Sequence, residues 1–315
     1  MVYDKSIKSG STPFFSICIE VFNRVDSIGK VLDCIHEQVC RDFELIVVDN
    51  GSTDGSAEII RSKLSDFKDV KTQLFLEPKK ENEIEGWNAP LKHAVGLYIS
   101  ICEGDDYFHM NHLQDARNAL KEHPEAGIYV AGSKLQNFKE RLTIHEAAEK
   151  LNELKMLTWC PAPSCVIFQR LSSDYTPYNF DETFIWAGEY SLYYKILQDG
   201  LPVIQNDTSN FIERGYRFYL KNSLHMEDLL RMRYGNYFNY TPSEIMEINT
   251  KIAAHALSLL AINLNFCKID RILIRIFYKH VKKSNLTQFE CVKILKSSTE
   301  KAIKEKLKRL ISRWS

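Results

Sequence analysis

The chain has 315 residues, enough for one large domain with an appendage or for two domains, and its 41 basic and 41 acidic side chains cancel, so nothing in its charge points to nucleic acid. Its 8 cysteines are scattered with no CxxC pair, which argues against a zinc site or a disulfide framework and suits a reducing cytoplasm. Met1-Val2-Tyr3-Asp4-Lys5 opens no apolar leader, and no apolar run approaches the roughly 20 residues that span a bilayer, so neither a signal peptide nor a membrane span is expected.

Residues 1–12 read as an N-terminal tail, and the first strand is expected over 14–22. Ile28, Val31, Leu32 and Ile35 then fall on one helical face. A second strand, 43–48, ends in Asp49-Asn50-Gly51-Ser52-Thr53-Asp54-Gly55-Ser56, where two glycines supply the positive φ of a tight turn. Asp54 or Ser56 is placed to cap the next helix, whose apolar positions are Ile59, Ile60 and Leu64. A strand over 70–76, a short helix near 91–95 and an apolar strand over 97–101 follow, then a helix over 111–121 and a strand over 127–131. Strands alternating with helices predict a mostly parallel sheet flanked by helices. Neither GxxxxGK[ST] nor GxGxxG follows the first strand, which counts against an ATPase and a dinucleotide dehydrogenase.

Behind the 97–101 strand stands Cys102-Glu103-Gly104-Asp105-Asp106-Tyr107. Ligands of open α/β sheets bind at the carboxyl ends of strands, and carboxylates gathered there are costly unless a cation neutralises them. Two readings stay open on this run alone: a divalent cation carrying a phosphorylated ligand, or a solvated acidic turn that caps the helix from Asn111. Further along, Leu192, Ile196 and Leu197 mark a helix that Gly200 can end, with Glu189 in its first turn, where the helix dipole favours an anion. Beyond about Ser223 the periodicity is helical. At the end, Ile303, Leu307, Leu310, Ile311 and Trp314 share a face bordered by lysines and arginines. That face suits either a helix lying in an anionic membrane interface or one packed on the domain.

Residues 16–223 resemble inverting glycosyltransferases of family 2, which have the GT-A fold. The likeness is carried by Ile17-Cys18-Ile19-Glu20-Val21-Phe22-Asn23-Arg24, Leu45-Ile46-Val47-Val48-Asp49, Trp87-Asn88, Glu103-Gly104-Asp105-Asp106, Pro163-Ser164-Cys165 and Gly188-Glu189 in that order. The resemblance implies a GT-A catalytic domain over 13–223 and a helical C-terminal extension over 224–315. It implies that Asp49 bonds the nucleotide base, that Asp105 lies near the ribose, and that Asp106, with Glu103, holds Mn²⁺ or Mg²⁺. Asn88 and Arg217 are carried over as donor contacts, Arg217 on a segment that closes over the diphosphate. Glu189 matches the base that activates the acceptor. Three departures stand out. Glu20 replaces a customary proline and adds a carboxylate near the donor. Trp87 replaces an arginine, and Gly188-Glu189 replaces a Glu-Asp pair. The expected activity is transfer of a hexosyl or N-acetylhexosaminyl group from a nucleotide-diphospho-sugar, foremost a UDP-sugar. The expected acceptor is a saccharide or lipid-linked saccharide in bacterial surface polysaccharide synthesis, with the enzyme cytoplasmic or at the inner membrane face. The alternatives are a non-catalytic nucleotide-sugar-binding module of the same fold and a sugar nucleotidyltransferase.

Overall fold

Two runs buried along nearly their whole length, β2 (Phe15–Val21) and β3 (Phe43–Asp49), lie side by side in parallel and form the centre of the sheet. The computed structural model describes residues 12–131, 163–184, 188–199 and 241–265, the backbone of 2–5, 203–205 and 213–214, and the short stretches 286–287, 290–291 and 293–294. Around the central pair stand β1 (Val2–Lys5), β4 (Lys71–Leu76), β5 (Tyr98–Glu103), β7 (Ile128–Val130), β8 (Val166–Gln169) and β9 (Val203–Gln205). Their order is β1-β4-β3-β2-β5-β8-β7-β9. Strands β4, β3, β2 and β5 run in parallel, as do β7 and β9, whereas β1 and β8 run against their neighbours. The sheet is therefore mostly parallel, as the alternation implied. A two-residue strand, β6 (Asp106–Tyr107), pairs separately with β10 (Glu213–Arg214).

The crossover helices follow from apolar spacing. In α1 (Ile28–His36) the side chains of Ile28, Val31, Leu32 and Ile35 are buried against the sheet, each contributing about 1.5–3 kcal/mol of hydrophobic burial. Helix α2 (Ser56–Leu64) buries Ile60 and Leu64, and α4 (His112–Glu122) buries Leu113, Ala116 and Leu120. The chain divides into two compact units, Met1–Arg217 and Phe218–Ser315. In the second, α6 (Pro242–Asn265) buries Ile248, Ile252, Ala253, Ala256 and Leu257 at helical spacing. α5 is the helix Gly188–Gln198.

Two expectations are corrected. The segment given to an N-terminal tail holds β1, which extends the sheet beyond β4. The helix expected near 91–95 lies earlier, as α3 (Glu83–Leu91). Its start is set by Asn82, whose Oδ1 accepts the Glu85 backbone N–H at 2.9 Å while its Nδ2 donates to Glu85 Oε1 at 3.0 Å. Pro90, which looked like a barrier to a helix, falls in the last turn.

One buried group ties stability to pH. His112, at the start of α4, is fully buried against Phe108, and both ring nitrogens lack a partner among the described residues. Burial, with a smaller push from His109, lowers its pKa from 6.5 to about 3. Between those values the unfolded chain takes up a proton that the folded chain refuses, so stability falls as the pH drops through that window. Moving from pH 7 to 5 should cost on the order of 2 kcal/mol through this one residue. Urea midpoints at the two pH values should differ less in His112→Leu than in the parent; equal differences would exclude the assignment.

Candidate functional site

Strand register sets the candidate residues side by side. Val21 of β2 pairs with Asp49 of β3, and Glu20 pairs with Glu103 of β5, so three acidic residues stand at one carboxyl edge of the sheet. Asp49 is 2% exposed. Its Oδ1 accepts the Ser52 N–H at 2.7 Å, while its Oδ2 is buried with no partner among the described residues. A buried carboxylate oxygen in that state calls for an N–H or O–H donor from outside the chain. Gly51 and Gly55 adopt φ of 79° and 96°, which shape the turn. Helix α2 begins from Gly55, and Asp54 braces the turn instead of capping it directly: its Oδ1 accepts the Ser56 N–H at 3.0 Å and its Oδ2 accepts the Val25 N–H at 2.9 Å.

The loop after β2 is laced to this turn. Asn23 donates its N–H to Ser52 Oγ at 2.9 Å and accepts the Thr53 N–H on Oδ1 at 2.9 Å, and the Arg24 N–H donates to Ser56 Oγ at 2.8 Å. Asn23 holds a left-handed φ of 52°, an affordable conformation for an asparagine. At the end of β2, Glu20 Oε1 accepts Asn50 Nδ2–H at 2.7 Å. Burial raises the pKa of Glu20, and the Asn50 bond and the Arg24 charge oppose that rise. Gly86 of α3 lies so close that a Cβ there would sit 2.9 Å from Glu20 Cγ and 3.2 Å from Asn50 Nδ2. α3 is thus packed directly on the donor-edge residues.

The acidic run is the place where the chain leaves the sheet. β5 continues to Glu103, turns through Gly104 and Asp105, and returns as β6, in which Asp106 pairs with Arg214 of β10. Asp106 is 1% exposed, whereas Glu103 and Asp105 are half-buried. The turn is fastened by Ser27 Oγ–H donating to Gly104 O at 2.7 Å and by the Glu103 N–H donating to Ser164 Oγ at 3.0 Å. No group of three His, Cys, Asp or Glu side chains forms a closed metal cage among the described residues. Glu103 and Asp106 offer hard oxygen donors, and Mg²⁺ or Mn²⁺ needs only one or two such carboxylates when substrate phosphates and water complete its shell. The donor set fits an ion of that kind.

Glu189 is the second residue of α5 and falls in its first turn, as expected from sequence. The helix starts on Gly188, where a Cβ would lie 2.6 Å from Ile84 Cδ1. Helix α3 therefore touches α5 through Ile84 and the strand edge through Gly86, one turn apart. Asn88, also on α3, does not reach the donor edge as expected. It is 3% exposed; its Nδ2 donates to Phe180 O at 2.9 Å and Glu182 Oε1 at 3.0 Å, and its Oδ1 accepts the Phe180 N–H at 2.9 Å. It is a clamp on the 180–182 segment. Trp87 is buried beside it, 5.2 Å from the Phe180 ring. Arg217 and the C-terminal basic face lie outside the described residues, as do Trp186, Gly200, Tyr216 and Ser223.

Two cations at this edge were not singled out by the motifs. Lys79 Nζ lies 4.6 Å over the Phe22 ring, and its backbone N would be 3.1 Å from a Cβ on Gly51. Arg24 reaches Asp105 at 4.0 Å. The available signal was position: each follows closely on the end of a parallel strand.

Residues 16–174 match the family described as "Glycosyl transferase family 2". The amylovoran biosynthesis glycosyltransferase AmsB of Erwinia amylovora is 27% identical over 190 residues, covering 56% of this chain. The chain spans 62% of that relative's length. Among solved structures, S. aureus TarS 1–349 in complex with UDP superposes with a TM-score of 0.60 at 16% identity, covering 92% of this chain and 91% of the other. The mannosyltransferase PcManGT from Pyrobaculum calidifontis, in complex with GDP-Man and Mn²⁺, superposes with a TM-score of 0.59 at 18% identity, covering 93% and 88%. Both likenesses carry the GT-A fold. No helix among the described residues is long and apolar enough to cross a membrane.

Proposed function

Because the chain belongs to glycosyltransferase family 2, we propose that it moves a hexosyl or N-acetylhexosaminyl group from a UDP-sugar to a hydroxyl of a saccharide or lipid-linked saccharide. The observation that carries the donor assignment is the unpartnered, buried Oδ2 of Asp49 at the carboxyl edge, an acceptor awaiting a base N–H. The TarS likeness, a complex with UDP, supports the choice of base, and the AmsB likeness supports a polysaccharide acceptor.

In this reading Asp49 accepts from the base and Asp105 faces the ribose. Arg217 closes over the diphosphate. Asp106 and Glu103 hold the divalent cation, which when bound takes up negative charge developing on the leaving diphosphate. Glu189 accepts the proton of the acceptor hydroxyl as that oxygen attacks the anomeric carbon from the face opposite the diphosphate. One displacement results, with inversion. The basic face ending at Trp314 suits an acceptor carried on an anionic membrane.

A thermal-shift panel of UDP- and GDP-sugars with and without Mn²⁺ tests the proposal. A donor at 100 times its Kd adds about 2.7 kcal/mol to the apparent stability. The expected result is a rise in Tm with a UDP-sugar that grows when Mn²⁺ is present. No rise with any nucleotide sugar would overturn the reading.

A further inference from the structure

A diphosphate entering an edge lined by Glu20, Asp49, Glu103, Asp105 and Asp106 meets strong repulsion unless more than one cation answers it. In the family the resemblance points to, an arginine commonly stands where this chain has Trp87. That side chain is buried against Phe180 and can answer nothing. Three cations stand near the edge. Lys80 is held by Glu77 at 2.5 Å, and Lys79 lies on the Phe22 ring.

Arg24 is placed differently. Its backbone is fixed where two helices begin: its N–H donates to Ser56 Oγ at 2.8 Å, and its carbonyl accepts the Ser27 and Ile28 N–H groups at 3.0 and 2.9 Å. Its stem lies across the acidic turn, where a Cβ on Gly104 would sit 3.0 Å from Arg24 Cγ. Glycine at 104 is what lets the stem pass. The guanidinium ends 4.0 Å from Asp105, too far for a hydrogen bond, with 22% of the side chain exposed. It forms no side-chain hydrogen bond among the described residues. An arginine with a fixed base, a supported stem and uncommitted N–H groups is preorganised for a bidentate oxyanion.

We propose that Arg24 binds the diphosphate of the donor, supplying the positive charge that position 87 no longer provides; this rests on the nucleotide-sugar reading above. The guanidinium swings from its loose approach to Asp105 onto the phosphate oxygens and, with the divalent cation, shares the charge of the leaving group. Asp105 acts as its resting counter-ion.

Calorimetric titration of the full chain with UDP and with uridine, in Mg²⁺, separates the possibilities. Arg24→Gln should weaken UDP binding about 10- to 100-fold, the loss expected for one charge-assisted hydrogen bond, and leave uridine affinity unchanged. Arg24→Lys should recover part of the loss. If Arg24 only neutralises Asp105, Arg24→Gln will shift the Tm while the ratio of UDP to uridine affinity stays at the parent value, which overturns the assignment. A parent protein that binds uridine and UDP equally also overturns it. A parent that binds neither overturns the nucleotide-sugar reading, and this assignment with it.

Discussion

Asp106→Asn should abolish sugar transfer and remove the metal dependence of donor binding. The substitution preserves shape, so the β6–β10 pairing and the burial of the side chain, 1% exposed, should survive. What changes is charge. An amide in place of a carboxylate takes an anionic oxygen from a hard-cation site that has few protein ligands to begin with, and Glu103 is left as the remaining one. Without the cation the diphosphate departs with its charge uncompensated. Titration of UDP with and without Mn²⁺, alongside a transfer assay and far-UV circular dichroism, makes the comparison. Full activity in this variant, or in the parent under excess EDTA, would refute the metal role.

The second large effect is expected at Glu189. Glu189→Gln should leave UDP affinity nearly unchanged and lower kcat by about 10²-fold or more, because a positioned base typically contributes about 10²–10⁴-fold. The residue lies in the first turn of α5, where the dipole stabilises the anion. Glutamine keeps the size and the neighbouring helix start but cannot accept the acceptor's proton. A variant that lost UDP affinity yet kept its turnover at saturation would move Glu189 into the donor site.

Much of this arrangement is legible from residues alone. The apolar runs behind Val21, Asp49 and Glu103 announce interior strands, and parallel register then brings their ends together, because each run stops at the same edge. Helix α3 was legible only in part: the Asn82–Glu85 capping pair marks its start, but Pro90 and Gly86 read as breakers, when one belongs to the last turn and the other to a close packing seam. Asn88 shows a different limit. A polar residue inside a motif looks the same whether its amide meets a ligand or a distant backbone, and its partner at Phe180 is 92 positions away. The reversed direction of β8 is equally non-local, since a four-residue run carries no sign of which way it will pair.

The seam formed by α3 also constrains how this chain can change. Gly188 exists because Ile84 occupies the space a larger residue would need, and Gly86, one turn along, does the same for Glu20 and Asn50. Restoring the acidic residue customary at 188 would first require a smaller side chain at 84, and restoring a proline at 20 would strip Asn50 of the carboxylate that orients it. The departures at 20, 84, 86 and 188 therefore form an epistatic set in which the order of substitution matters. A lineage leaving this arrangement must clear Ile84 before it regains the second acid, and engineered variants face the same sequence of steps.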